Sequence, residues 1–193
     1  MSRKDPLVTD QYYQIDGMPR FSDFIKSILE KEDIFNEQFF RLFKDNERCV
    51  DIFAYCLMPT HIHLLVRQRK DEGISRFMAN VLNSYTRYFN VKIHRKGPLR
   101  QGRFKSVRVQ TEEQLYHLTR YIHLNPVTAG LVDSPEEWFS SSYAEYVQRG
   151  DGRSRVCHFE DLLHISVDEY IEFVKDQIAY QRELARVKHF LLE

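Results

Sequence analysis

The sequence predicts an α+β protein in which an antiparallel sheet carries helices on one face. Segments rich in β-branched and aromatic residues alternate with longer segments whose apolar residues recur every three or four positions. Two of the strand-like segments, 50–57 and 61–66, are separated only by a Met-Pro-Thr connection, which predicts a hairpin and therefore antiparallel pairing. With 193 residues, 42% of them apolar, the chain can bury this sheet in one core.

The elements expected before the hairpin are a strand and two helices. Residues 11–15 have the composition of a short strand, and a Gly-Met-Pro turn follows at 17–19. Ser22 can cap a first helix, because the apolar residues after it fall at helical spacing. A second helical piece is expected over about 36–44.

Three elements follow the hairpin. Residues from 74 to about 90 have the apolar periodicity of an amphipathic helix, and a polar loop then leads to a strand over roughly 104–109. Thr111 begins a capping box for a further helix, which we expect to end at Asn125 because Pro126 disfavours helical geometry in the residue before it. Strand, helix, hairpin, helix, strand, helix is the order of a ferredoxin-like α+β sandwich.

The sandwich and its last helix are predicted to form one domain over residues 1–143. Residues 144–193 are predicted to be a C-terminal helical extension, with a polar loop QRGDGRSR and helix candidates over 159–163 and 167–188. The negative character of this extension favours packing or regulation over direct contact with nucleic acid.

Composition argues against several classes of protein. No apolar run reaches the ~20 residues of a membrane span, and the start of the sequence lacks the apolar core of a signal peptide, so a cytoplasmic location is expected. Cys49, Cys56 and Cys157 are odd in number and form no Cys-x-x-Cys pair. This pattern argues against a disulfide framework and against a cysteine zinc site.

The net charge is zero, but the basic residues are unevenly distributed. The segment 73–111 contains nine Lys or Arg and no Asp or Glu, and Tyr85, Tyr88, Phe89 and Phe104 are interleaved with these charges. A solvated helix face is the ordinary explanation of a charge run, but such a face normally includes acidic partners. Basic residues with interleaved aromatic rings are typical of single-stranded nucleic acid binding.

Two histidines separated by one residue lie inside the apolar segment YCLMPTHIHLLV. Alternating side chains of a strand point to opposite faces, so His61 and His63 share a face and their rings converge. On the later helix, Tyr121 and Asn125 are four residues apart and also share a face. Taken alone, Tyr121 could pack on the sheet and Asn125 could cap the helix end.

Together these features fit one chemistry. Two neutral imidazoles leave a divalent cation short of ligands, and an amide oxygen such as that of Asn125 could complete the protein ligands while leaving positions for a phosphate. A tyrosine hydroxyl of pKa about 10 becomes a nucleophile when a cation and basic groups favour its phenolate. Attack by Tyr121 would form a phosphotyrosine bond that conserves the energy of the cleaved phosphodiester, so the strand could be rejoined.

The motifs resemble those of the REP-associated tyrosine transposases, within the single-tyrosine HUH transposases of bacteria. The similarity covers about residues 50–143 and rests on YCLMPTHIHLLV, NSYTRYFN, QGRFKS and RYIHLNPVTAGLV in this order, ending in WFSSSY. It implies a ferredoxin-like HUH nuclease domain that uses Mg²⁺ or Mn²⁺. Such a domain would cut single-stranded DNA near a repetitive palindromic hairpin, forming a 5′-phosphotyrosine link, and would be nucleoid-associated.

The resemblance also implies roles for individual residues. His61 and His63 would be the metal-binding pair, Asn125 the third metal ligand and Tyr121 the nucleophile. The assembly stays open, since related transposases act as homodimers or singly. The residues expected to contact DNA are basic and come from the acid-free segment: Arg87, Arg95, Lys96, Arg100, Arg103, Lys105 and Arg108.

Three other functions are compatible with the sequence. A module of the same fold could grip structured DNA or RNA without cutting it, although the presence of Tyr121 argues against this. A small metal enzyme acting on soluble phosphoesters would need no extended basic surface. Finally, His61 and His63 could be core histidines with satisfied hydrogen bonds and no chemical role.

Overall fold

The computed structural model describes residues 7–16, 49–59, 61–92, 94–98, 104–147, 156–160, 162 and 164–183. The helices predicted after Ser22 and over 36–44 lie outside these residues. The principal strands are β1 Tyr12–Asp16, β2 Val50–Leu57, β3 Ile62–Gln68 and β4 Lys105–Arg108. The principal helices are α1 Gly73–Lys92, α2 Glu112–Thr128, α3 Tyr143–Val147 and α4 Val167–Lys175, with a 3₁₀ turn at Pro135–Glu137.

The four strands form one sheet in the order β2-β3-β1-β4, and every neighbouring pair is antiparallel. β2 and β3 are the predicted hairpin, closed by a hydrogen bond of 2.8 Å from Met58 N to His61 O. β1 lies beside β3, which places Asp16 opposite His63 although 47 residues separate them. This strand order is that of a ferredoxin-like sandwich, so the predicted α+β class is confirmed.

Alternation along β3 divides the sheet into two faces. His63 and Leu65 point to one face and Gln68 to the other. α1 begins on the Gln68 face, where Ile74 N donates a hydrogen bond of 3.1 Å to Gln68 Oε1. α2 lies on the opposite face, where the Tyr121 ring contacts the His63 ring. The described helices therefore lie on both faces of the sheet. The sequence had predicted helices on one face only, and α2 adds a second helical layer on the opposite face.

α1 starts against the beginning of β2. A Cβ atom at Gly73 would lie 2.3 Å from the carbonyl oxygen of Cys49, so the two backbones approach more closely than any larger residue allows. Arg69 N donates to the same carbonyl oxygen at 3.0 Å. The side of α1 that is buried in the core consists of Ile74, Phe77, Met78 and Val81.

The chain after α2 covers the outer edge of β2. Leu57 N donates to Ser140 O at 2.9 Å, and Ser142 N donates to Tyr55 O at 3.0 Å. The indole Nε1 of Trp138 donates to Leu57 O at 3.0 Å. An uncovered edge strand exposes a row of unpaired backbone groups, so the WFSSSY segment completes the sheet.

α3 and α4 share the hydrophobic core with the sheet and α2. Tyr146 of α3 and Tyr170 of α4 are fully buried, and their ring centroids are 4.9 Å apart. The hydroxyl of Tyr146 donates to the carbonyl oxygen of Phe53 in β2. The domain boundary predicted between residues 143 and 144 stays a prediction. The hydrophobic core includes residues on both sides of it.

Two helix ends differ from the predictions. α2 was expected to end at Asn125 but continues to Thr128 with Pro126 inside it. Pro126 is buried together with Val127, so core packing outweighs the one backbone hydrogen bond that proline cannot make. α4 ends at Lys175, but after a turn at 176–177 the chain is helical again over 178–183, and residues 184–188 of the predicted helix lie outside the described residues.

All three cysteines are buried and none forms a disulfide. Within the part of the chain that the structure describes, no helix combines the length and the apolar character needed to cross a bilayer.

Candidate active site

The side chains of His61 and His63 meet on the face of the sheet that α2 covers. Their Nε2 atoms lie 2.7 Å apart, and the planes of the two rings are at 81° to each other. Burial, together with the neighbouring His63, lowers the pKa of His61. The His61 ring is therefore favoured as a neutral imidazole, the form that binds a metal ion.

Asp16, the last residue of β1, contacts this pair from the adjacent strand. Its Oδ1 lies 2.6 Å from His63 Nδ1, and its Oδ2 accepts a hydrogen bond of 2.9 Å from Gln14 Nε2. Burial would raise the pKa of the Asp16 carboxyl, but the hydrogen bond and the electrostatic interaction with His63 outweigh it and hold the pKa below its ordinary value. Asp16 was not predicted from the sequence. A carboxylate ending the first strand was the only available signal.

α2 brings Tyr121 of the same chain against the histidines. The ring centroids of Tyr121 and His63 are 5.6 Å apart in an edge-to-face arrangement, and Tyr121 is 41% exposed. Burial raises the pKa of the Tyr121 hydroxyl, the negative charge of Asp16 raises it further, and a hydrogen bond with Asn125 acts in the opposite direction. The site thus favours the protonated hydroxyl, and only an added positive charge would favour the phenolate.

Asn125 lies one turn after Tyr121 on α2. Its Nδ2 donates a hydrogen bond of 2.8 Å to the carbonyl oxygen of Tyr121, so the amide oxygen is the atom that it could offer to a cation. The side chain is partly exposed. The structure places Asn125 on the side of α2 that carries the tyrosine, as predicted, and its role as a metal ligand stays a prediction.

The donor atoms fit a divalent cation of the kind that the sequence predicts. Two imidazole nitrogens converge on one point, and His63 has a carboxylate behind its other nitrogen, as metal-binding histidines usually do. Within the described residues, no group of three or more His, Cys, Asp or Glu is arranged to hold a metal ion. A cation at this pair would therefore complete its coordination with oxygen atoms of an amide, a phosphate or water.

The other side of α2 is fixed by a buried hydrogen-bond network. His123 is fully buried, with Nδ1 2.7 Å from the Tyr170 hydroxyl and Nε2 2.8 Å from Ser142 Oγ. The Tyr170 hydroxyl also donates to Thr119 Oγ1 at 3.1 Å. Burial lowers the pKa of His123 to about 3, so its ring is neutral. His123 therefore has a structural role, and α2 is held by α4 and by the segment at the edge of β2.

The predicted DNA-contacting residues are only partly described. Lys105 stands opposite Asp16 in the β1–β4 pair and therefore on the face of the sheet that carries His63. Arg108, on the opposite face of β4, donates two hydrogen bonds to Gln11 Oε1. Apart from these two residues of β4, the described members of the predicted set are Arg87 on α1 and Arg95 and Lys96 in the loop after α1, and all three are exposed. Arg100 and Arg103 lie outside the described residues.

A groove runs along α2 beside Tyr121. It encloses about 290 Å³, and its lining includes His117, Arg120 and Gln181. The guanidinium of Arg120 lies 4.1 Å above the ring of Phe173 in α4, which fixes a positive charge at the groove wall. The tyrosine is thus open on one side and packed against His63 on the other.

Comparisons with known proteins bear on this geometry. Residues 24–125, more than half of the chain, match the profile of the IS200-like transposases. The chain belongs to the IS200-like transposase family. The matched segment includes the histidine pair, Tyr121 and Asn125, so the residues that define the candidate site are within the family domain.

Two relatives carry the more specific name that the sequence resemblance suggested. A Haemophilus influenzae protein, assigned provisionally as a REP-associated tyrosine transposase, is 28% identical over 100 residues, which cover 47% of this chain and 57% of that protein. The chain thus matches little more than half the length of this curated relative. A solved structure of a REP-associated tyrosine transposase bound to a REP hairpin superposes with a TM-score of 0.64 at 18% identity, over 86% of this chain and 99% of that one. The second likeness establishes the fold.

Proposed function

We propose that this IS200-like transposase cuts and rejoins single-stranded DNA near hairpins through a covalent bond to Tyr121. The observation that carries the proposal is the convergence of His61, His63 and Tyr121 of one chain on one face of the sheet. A tyrosine that merely packed on the sheet would have no need of two adjacent imidazoles whose nitrogens face each other. The membership of the transposase family supports the same reaction class.

His61 and His63 would hold a Mg²⁺ or Mn²⁺ ion through their Nε2 atoms, with the amide oxygen of Asn125 as the proposed third ligand. When bound, the ion would neutralise charge on the scissile phosphate and favour the phenolate of the nearby tyrosine. The chain's own contribution is to fix both imidazoles on one rigid strand and the nucleophile on one anchored helix.

Tyr121 would perform the bond exchange. Its phenolate oxygen attacks the phosphorus, forming the Tyr–O–P bond while the bond from phosphorus to the 3′ oxygen breaks. The tyrosine proton passes to water, and the departing 3′ oxygen takes up a proton. The 5′ phosphate is left on the tyrosine. In the reverse direction a 3′ hydroxyl attacks this phosphotyrosine, which rejoins a strand without an external source of energy.

Action within a single chain is part of the proposal. The Tyr121 ring already lies against His63 of its own chain, so a second subunit is not required to supply the nucleophile. Lys105 lies on the same face and could bind the phosphate backbone that approaches the histidines. Hairpin DNA is proposed as the substrate because the superposed relative is described as bound to a REP hairpin.

The test is trapping of the covalent intermediate. The protein is incubated with Mn²⁺ and labelled single-stranded hairpins from its own genomic neighbourhood, and denatured samples are examined for a protein–DNA band. The band should disappear with a chelator, in Tyr121→Phe and in His61→Ala. It should persist in Tyr180→Phe and His158→Ala, which alter exposed residues that make none of the contacts described for the site.

DNA binding is measured in parallel, because it separates two explanations of a negative result. Tyr121→Phe should bind hairpins as the natural chain does. If several hairpins bind tightly and none gives a band, the chain is a non-cutting DNA-binding protein of the same fold. If the band persists in Tyr121→Phe, another residue is the nucleophile.

A further inference from the structure

We infer that Asp16 is a positioning residue for the histidine pair, holding His63 in the tautomer whose Nε2 lone pair faces His61. This inference rests on the proposed metal-binding function. It adds a fifth side chain, from a different strand, to the four residues that the sequence motifs indicate. Asp16 ends β1 directly opposite His63, so the antiparallel register itself brings the two side chains together.

The hydrogen positions follow from the contacts. An ionised carboxylate only accepts hydrogen bonds, so the 2.6 Å contact between Asp16 Oδ1 and His63 Nδ1 requires a hydrogen on Nδ1. In the neutral form that metal binding requires, the His63 imidazole has one N–H, so its Nε2 then carries the lone pair. In the 2.7 Å contact between the two histidines, His61 Nε2 then donates and His63 Nε2 accepts. His63 is already arranged as a ligand, whereas His61 must transfer its hydrogen to Nδ1 before it can bind a cation.

Asp16 acts through His63 and not as a metal ligand itself. Its Oδ1 is engaged by His63 and its Oδ2 by Gln14 Nε2 at 2.9 Å, so both oxygen atoms have hydrogen-bond donors. His63 has only 5% of its side chain exposed, whereas Asp16 has 34%, so the carboxylate covers the Nδ1 side of a buried ring. Removal of Asp16 would leave a buried N–H without its acceptor and would free the ring to change tautomer.

Two substitutions separate the acceptor from the charge. Asp16→Ala removes both. Asp16→Asn keeps an oxygen that can accept from Nδ1 but is neutral. Partners behind metal-bound histidines typically contribute 10–100-fold to metal affinity, and we expect a loss of about this size for Asp16→Ala, with Asp16→Asn in between. The matched control is Asp10→Asn, which removes an exposed carboxylate from the preceding turn, where the positive φ of 56° suits asparagine.

The experiment combines two measurements that need no DNA. Nitrogen-15 NMR of the metal-free protein reports which His63 nitrogen carries the hydrogen, and calorimetric titration with Mn²⁺ reports the affinity. The natural chain and Asp10→Asn should show His63 protonated at Nδ1. Asp16→Ala should lose this single tautomer together with its Mn²⁺ affinity, while Asp16→Asn should retain most of the tautomer.

An Asp16→Ala protein that keeps the Nδ1–H tautomer and binds Mn²⁺ like the natural chain overturns the inference. Should that variant not fold, Asp16→Leu decides in its place, because leucine fills the space of the carboxylate without an acceptor, and equality with Asp10→Asn in both measurements overturns the inference as well. Failure of DNA cutting in every variant, with the NMR and Mn²⁺ results as expected, would instead count against the proposed nuclease function and leave the role of Asp16 intact.

Discussion

The buried His123 should make the protein less stable in mild acid. Its pKa is lowered to about 3 in the folded chain, whereas an exposed histidine titrates near 6.5. The unfolded chain therefore takes up a proton between these two values and the folded chain does not, so the free energy of unfolding falls as the pH falls through this window. The contribution is complete above about pH 6.5. At pH 4.5, two units lower, about 2.7 kcal/mol of it is lost.

His123→Phe isolates this effect, because phenylalanine keeps an aromatic ring, somewhat larger than imidazole, and cannot titrate. The substitution removes the hydrogen bonds to Tyr170 and Ser142, which are worth about 1 kcal/mol each, so the variant should be about 2 kcal/mol less stable at pH 8. Complete loss of structure is not expected, because the Tyr170 hydroxyl keeps Thr119 as a partner and Ser142 Oγ still accepts a hydrogen bond from Tyr55 N.

Urea unfolding, followed by the fluorescence of Trp138, measures both quantities, since Trp138 is the single tryptophan and is buried beside β2. Between pH 8 and pH 4.5 the natural chain should lose about 2.7 kcal/mol more than His123→Phe. The difference between the two losses cancels the contributions of the other titrating groups, which both proteins share. Equal losses in the two proteins would refute the reasoning. His164→Gln, at an exposed position, should behave like the natural chain.

Three further predictions concern the surface and the packing. Lys105→Gln should reduce the slope of log affinity against log salt for single-stranded DNA by about 0.7, the value for one phosphate contact, and an unchanged slope would remove Lys105 from the interface. Gly73→Ala should lower the free energy of unfolding in urea by about 1–3 kcal/mol, because its Cβ would overlap the Cys49 carbonyl oxygen, and an unchanged value would show that this carbonyl shifts freely. Phe173→Leu should lower the free energy of unfolding by about 0.5–2 kcal/mol, because the contact between the Phe173 ring and the Arg120 guanidinium is lost. Faster hydrogen exchange in α2 would show this loss.

Local patterns in the sequence predicted the parts of the site that lie on single elements. The period of two along β3 placed His61 and His63 on one face, and the helical period placed Asn125 with Tyr121. The capping box at Thr111 gave the correct start of α2, where Gln114 N donates to Thr111 Oγ1. Each of these relationships joins residues at most four positions apart, and for such distances the backbone geometry alone decides which side chains are neighbours.

Asp16 and the end of α2 were not predictable in this way. Asp16 reaches His63 only because β1 pairs with β3 in one register, and a shift of that register by one residue would turn its side chain to the other face. Pro126 stays inside α2 because Pro126 and Val127 are buried in a core built by distant segments. Both outcomes depend on tertiary packing, which local propensity does not include.

The two sides of α2 together explain why Tyr121 is positioned by its own chain. On one side, Tyr121 projects toward His63 and the groove. On the other side, His123 and Thr119 are buried and hydrogen-bonded to Tyr170 of α4. Rotating α2 to bring the tyrosine elsewhere would break these buried bonds and expose the neutral His123. The helix that carries the proposed nucleophile is therefore fixed by the segments that follow it, and a substitution at Tyr170 should alter the position of Tyr121 without touching the site.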